Sequence, residues 1–75
     1  MSLQSIMDAT PIVSWGDWKF GEHIGSSHKY TYLISKQPHE FELWWGHKDW
    51  EKSKKFYSVS AQEIIDKINE LEGIK

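Results

Sequence analysis

Between residues 18 and 45 the chain alternates apolar and polar positions with period 2, the signature of strands that bury one face. Trp18, Phe20 and Ile24 share one inward parity, Tyr30, Tyr32 and Ile34 a second, and Phe41, Leu43 and Trp45 a third. Gly25-Ser26-Ser27 and Gln37-Pro38-His39 are the turn signals between these runs, so the pattern predicts a three-stranded antiparallel meander. A fourth short strand, about Lys55 to Val59, follows; its parity stays open because Phe56 and Tyr57 both suit an inward position.

The period then changes from 2 to 3.6. Ile64, Ile65, Ile68 and Leu71 form one apolar stripe, while Gln62, Asp66, Lys67, Asn69 and Glu70 point away from it, which predicts an amphipathic helix over residues 61–72. Ser60-Ala61-Gln62-Glu63 fits a capping box, with Val59 and Ile64 at the two staple positions. Gly73 suits the left-handed position after the last turn, and Ile74 can fold back on Ile68. At the other end, Leu3, Ile6 and Met7 fit a short helix stopped by Pro11, and disorder over residues 1–11 is the alternative.

One helix on a sheet covers one face. If Phe41, Leu43 and Trp45 lie under it, alternation sends Glu42 and Trp44 to the other side, together with Lys19, Gly21, Thr31 and Leu33. Trp44 and Leu33 then form an apolar patch that either shields the sheet from water or serves association. The expected fold is α+β: an antiparallel sheet of three to four strands over residues 12–59, packed on one face by a C-terminal helix over 60–73, in one small domain of 75 residues.

Composition sharpens this picture in two places. The chain holds five tryptophans against four leucines, an inversion of ordinary usage. An indole buries a large area but its N–H wants a partner or a wet edge. Some of these rings therefore belong at the surface, where tryptophan is a favoured anchor: Trp18 and Trp45 are expected in the core, Trp44 and Trp50 as contact residues, and Trp15 fits either role. Cysteine is absent, which excludes disulfides and thiolate metal sites. Net charge is −2 with no arginine, giving no general attraction to nucleic acid or membrane. No apolar run approaches a membrane span and no leader pattern opens the chain, so a cytoplasmic protein is the expectation.

Candidate chemistry is sparse. The segment from Trp44 to Tyr57 sets Lys48, Lys52, Lys54 and Lys55 against Asp49 and Glu51 and interleaves them with Trp45, Trp50, Phe56 and Tyr57. Cations beside aromatic platforms suit single-stranded nucleic acid, although arginine, the best bidentate reader, is missing and the closing helix is acidic. His23, His28 and His47 are expected at one edge of the meander with Asp49 nearby; no HExxH and no helical His pair imposes convergence on a zinc ion, so no metal or other cofactor is expected. No nucleophile elbow, phosphate loop or dinucleotide fingerprint is present, and no catalytic residue is assigned.

The order of possible helix, strands and closing helix is similar to that of double-stranded-RNA-binding domains, but Ser60-Ala61-Gln62-Glu63 stands where those carry a basic cluster. A meander closed by a C-terminal helix also resembles a chromodomain, which implies recognition of a modified peptide by an aromatic cage; that likeness is one of architecture. Together these features point to a non-enzymatic binding protein acting through protein–protein contact by Trp44, Trp50, Leu33 and Trp15, as a small regulator or inhibitor, with self-pairing into a homodimer open. The alternative is a single-stranded nucleic-acid-binding module using Lys48, Lys52, Lys54 and Lys55.

Overall fold

The computed structural model describes residues 3–17, 21–47 and 54–74. Its elements are a short helix α1 (Leu3–Asp8), strands β1 (Ser14–Asp17), β2 (Glu22–Ser26), β3 (Thr31–Lys36), β4 (Phe41–Gly46) and β5 (Lys54–Ser58), and helix α2 (Ala61–Glu72). The five strands form one antiparallel meander in the order β1-β2-β3-β4-β5. The α+β class and the closing helix are as the pattern predicts, and the sheet is wider than expected.

The extra width comes from the N-terminal side. β1 is four residues long and contains a glycine, so it carries no readable alternation, and only its pairing with β2 makes it a strand. β2 begins at Glu22, one residue after Gly21, whose φ of 77° places it in the left-handed turn region and outside the sheet. Trp18, Lys19 and Phe20 lie outside the described residues. The parity expected for the first run does not hold at Ile24: it pairs with Leu33 on one side and Gly16 on the other, on the face away from the helices.

Gly25 explains that reversal. It is not a turn residue but an interior residue of β2, facing the helices opposite Trp15 and Tyr32. A Cβ placed there would sit 2.4 Å from Trp15 Cε3 and 2.6 Å from Val13 Cγ1. The missing side chain is therefore the clearance into which Trp15 packs, a common reason for glycine within a strand. The Trp15 ring lies 6.1 Å from that of Tyr32, and its indole N–H donates to Thr10 Oγ1 at 2.9 Å. Thr10, fully buried, donates in turn to the Ile6 carbonyl at 2.8 Å, which ties the end of α1 to the first strand.

Both helices lie on one side of the sheet. Ile6 of α1, Ile64, Ile65 and Ile68 of α2, and Tyr32, Ile34, Phe41, Leu43 and Trp45 of the central strands form one buried cluster, with Val13 and Ala61. Each buried isoleucine contributes about 1.5–3 kcal/mol relative to an exposed one, so the α2 stripe is what holds the helix on the sheet. Leu3 and Met7 pack against the same cluster, so the N-terminal segment is a helix in the core layer.

The ends of α2 follow the sequence in part. At its C-terminus, Gly73 is left-handed with φ 79°, and the N–H groups of Gly73 and Ile74 donate to the carbonyls of Glu70 and Asn69, a complete Schellman motif. Ile74 nevertheless stays 43% exposed. At the N-terminus the expected capping box is replaced by a relay: Ser60 makes no side-chain cap, its N–H donates to Ser58 Oγ at 3.0 Å, and Ser58 donates to Glu63 at 2.7 Å. Serine 58 stands between the two groups that a capping box would join directly. The staple is absent as well, with Val59 78% exposed and Ile64 buried.

Substitution of Gly25 by alanine tests the packing argument. The new methyl group has to displace the Trp15 ring or the strand, and overpacking of this kind costs about 1–3 kcal/mol. Urea unfolding of Gly25→Ala should show a loss of that size; a loss within about 0.5 kcal/mol, as at an ordinary surface position, would mean that Trp15 does not need the cleft.

Candidate functional site

Strict alternation along β3 and β4 sends neighbouring tryptophans to opposite sides. Trp45 is buried beneath α2, with Lys67 Nζ 5.3 Å from its ring centre, while Trp44 is half-buried on the far face of the sheet. On that far face, Ile24, Leu33, Trp44 and Lys55 occupy directly paired positions on β2, β3, β4 and β5. A second row toward the β3–β4 turn holds Glu22, Ser35, Glu42 and Tyr57, and Tyr57 keeps 45% of its surface exposed. Among the described residues no element lies over these rows.

The Trp44 ring is held in place by its neighbours. Its indole N–H donates to the Glu42 carboxylate, two residues back on the same face, and Lys55 Nζ lies 4.1 Å from its ring centre in a cation–π contact. One ring thus has its polar edge satisfied and one cation beside it, and it remains on the open side of the sheet. Leu33 lies at its cross-strand partner position, as the alternation predicts, and Ile24 extends the row by one strand.

Trp15 belongs elsewhere. It sits on the helix-covered face with its N–H committed to Thr10, so its expected place in the contact surface is corrected by its position on the opposite side of the sheet from Trp44. Trp50, Lys48 and Lys52 lie outside the described residues. Lys54 and Lys55 are both exposed on β5 but alternate across it, Lys55 on the open face and Lys54 on the helix side, so they do not make a single basic strip. Phe56 is half-buried and has Lys67 Nζ 5.8 Å from its ring centre.

The three histidines do not gather. His28 lies in the β2–β3 turn and His47 follows β4 at the same end of the sheet, where Tyr30 stacks on it at 5.2 Å. His23 pairs with Ile34 near the other end, because β2 starts later than expected. Among the described residues no group of three His, Cys, Asp or Glu side chains is arranged to hold a metal ion. An open depression of about 230 Å³ lies between β5 and α2, lined by Phe56, Glu63, Asp66, Lys67 and Glu70. Half-buried Lys67 and exposed Glu70 form an ion pair there at 3.6 Å, of the surface kind that contributes little.

The end of the sheet that carries His28 and His47 also holds a buried carboxylate that the sequence did not advertise. Glu72, in the last turn of α2, is buried and accepts hydrogen bonds from the Tyr32 hydroxyl and from Ser27 Oγ, the latter at 2.8 Å. Lys29 Nζ donates to the Glu72 backbone carbonyl at 3.2 Å. This latch fastens the end of α2 to the β2–β3 turn. Burial pushes the Tyr32 hydroxyl well above the usual tyrosine range, and the hydrogen bond to Glu72 and its negative charge act in the same direction. Tyr32 is thereby a donor that stays protonated, which is what a buried carboxylate requires.

Comparison with family models, curated proteins and solved structures gives no match. Among the described residues, no helix is long and apolar enough to cross a membrane.

The latch has a measurable pH signature. A group whose folded value lies above its unfolded one stabilises the fold fully below the unfolded value and loses that contribution as pH rises past it. Tyr32 should therefore make stability fall above about pH 10, where an unfolded tyrosine ionises. Tyr32→Phe should lose about 1–3 kcal/mol near neutrality by depriving buried Glu72 of a donor. Its urea midpoints should then decline less steeply than wild type toward alkaline pH. Parallel curves for the two proteins would contradict the assignment.

Proposed function

We propose that this protein is a small non-enzymatic binding module that acts through protein–protein contact, with the open face of the sheet as its contact surface. The observation that carries this reading is the paired row Ile24–Leu33–Trp44, an apolar stripe across three strands with no element over it among the described residues. Surfaces of this kind on small domains mark interaction sites, and tryptophan is the residue most often found at their energetic centre. Polar groups rim the stripe: Glu22, Glu42, Lys55 and the Tyr57 hydroxyl, an arrangement suited to a contact that is apolar in the middle and charged at its edge. A cytoplasmic regulator or inhibitor of a larger assembly is the role this design suits.

A second reading, single-stranded nucleic-acid binding, draws support from Lys55 beside the Trp44 ring and from exposed Tyr57 on the same strand. Against it stand the single lysine, Lys55, that the strands place on this face among the described residues, and the burial of Trp45.

Affinity capture from the native host distinguishes the two. Wild type should retain a protein that Leu33→Asp and Trp44→Ala no longer hold, with both variants still folded by circular dichroism, and nuclease should leave the retention unchanged. Loss of all retained species on nuclease treatment would move the assignment to the nucleic-acid reading. Retention equal in wild type and both folded variants would remove the open face as the contact surface.

A further inference from the structure

We propose that the occupant of the open face is a second copy of this chain, forming a two-fold dimer in which β3 of each copy stacks on β4 of the other. This inference rests on the open face being a contact surface and adds to it the identity of what meets it.

Strands about 4.8 Å apart with a rise of about 3.4 Å per residue make this five-stranded face roughly 24 by 20 Å, on the order of 500 Å² in projection and larger in accessible surface. Two such faces together approach the lower end of the ~1,200–2,000 Å² range of stable interfaces. A face-to-face pair of sheets is also an ordinary way to bury apolar side chains between two layers. The chain gains most from it because a 75-residue domain has little core of its own.

Charge favours one arrangement of the two copies. Two copies can meet face to face about an in-plane axis perpendicular to the strands or about one parallel to them. The perpendicular axis stacks every strand on its own copy and, where it runs along the paired row that keeps the apolar residues together, sets Lys55 against Lys55 of the second copy. The parallel axis, running between β3 and β4, exchanges β2 with β5 and β3 with β4. Within the paired row this sets Leu33 against Trp44 of the second copy and Ile24 against Lys55 of the second copy. Glu22 lies two residues from Ile24 along β2, about 7 Å, within reach of that lysine side chain. The same operation sets Glu22 against the Tyr57 hydroxyl and Ser35 against Glu42 of the second copy, so no like charges face each other.

Glu22 and Lys55 cannot make this pair within one chain. They sit on β2 and β5, three strand spacings apart, about 14 Å across the sheet. Any coupling between them therefore reports contact between copies.

The test is sedimentation equilibrium on the full chain and on four folded variants. Wild type should dimerise with a dissociation constant in the micromolar range, in keeping with a small interface. Leu33→Asp should be monomeric. Glu22→Lys and Lys55→Glu should each weaken self-association roughly tenfold or more, because each places like charges together twice in the dimer. An equimolar mixture of those two variants should recover wild-type dimerisation, since each copy then supplies the charge its neighbour needs at both contacts, and the double variant Glu22→Lys/Lys55→Glu should recover it alone. A wild type that stays monomeric at high micromolar concentration would overturn the second copy while leaving a different protein on the same face, which the capture experiment reads separately. Dimerisation that Leu33→Asp leaves intact would overturn both. A mixture that associates no better than its components would overturn the proposed two-fold.

Discussion

Everything in this fold depends on the alternation of β3 and β4. These central strands put Tyr32, Ile34, Phe41, Leu43 and Trp45 on one side, and that side is where both helices lie. A shift of one residue in β4 would exchange Trp44 and Trp45 and bring Glu42 under α2, and one in β3 would turn Tyr32 and Ile34 away from the helices. Because α1 and α2 share one face, the sheet has two unlike surfaces: one built of packed isoleucines and aromatic rings, the other a half-buried apolar row between polar edges. The asymmetry is the source of the contact surface we propose.

Two of the five tryptophans, Trp15 and Trp44, show how an indole N–H is handled on each side of the sheet. Trp15 lies in the core layer and gives its N–H to buried Thr10, which passes a hydrogen bond on to α1. Trp44 gives its N–H to Glu42 on the open face and receives Lys55 beside its ring. In both positions a large ring adds buried area without leaving a donor unpaired, which suits a chain too short for a deep aliphatic core. The same economy appears at the end of α2, where Glu72 is buried with Tyr32 and Ser27 as donors and Lys29 on its backbone. Small clusters of satisfied polar groups fix the helices to the sheet at both ends.

Much of this was legible in the order of residues. The helix over 61–72, the Schellman glycine, the inward sets of the two central strands and the opposed tryptophans follow from periodicity alone, because long, regular segments average out local exceptions. The first hairpin was not legible. Gly25 reads as a turn residue, yet it is a strand interior whose missing Cβ accommodates Trp15, a contact made by residues ten positions apart in sequence. With that glycine misplaced, the parity of Ile24 reverses, and the open face looks one apolar residue smaller than it is. The buried Glu72 was illegible for a similar reason: on a helical projection it is one more acid near the terminus, and only the tertiary position of Tyr32 and Ser27 shows why it turns inward. The relay through Ser58 differs from the expected capping box by the insertion of a single hydroxyl.

The central claim is that the side of the sheet bearing Trp44, and not the side bearing Trp15 and Trp45, meets other molecules, beginning with a second copy. Amide and indole resonances recorded over a dilution series read this residue by residue. The account predicts concentration-dependent shifts for the Trp44 indole N–H and the amides of Ile24, Leu33 and Lys55, with the Trp15 and Trp45 indoles unchanged. Shifts confined to Trp15, Trp45 and the helices, or none on the open face at any concentration, would contradict it.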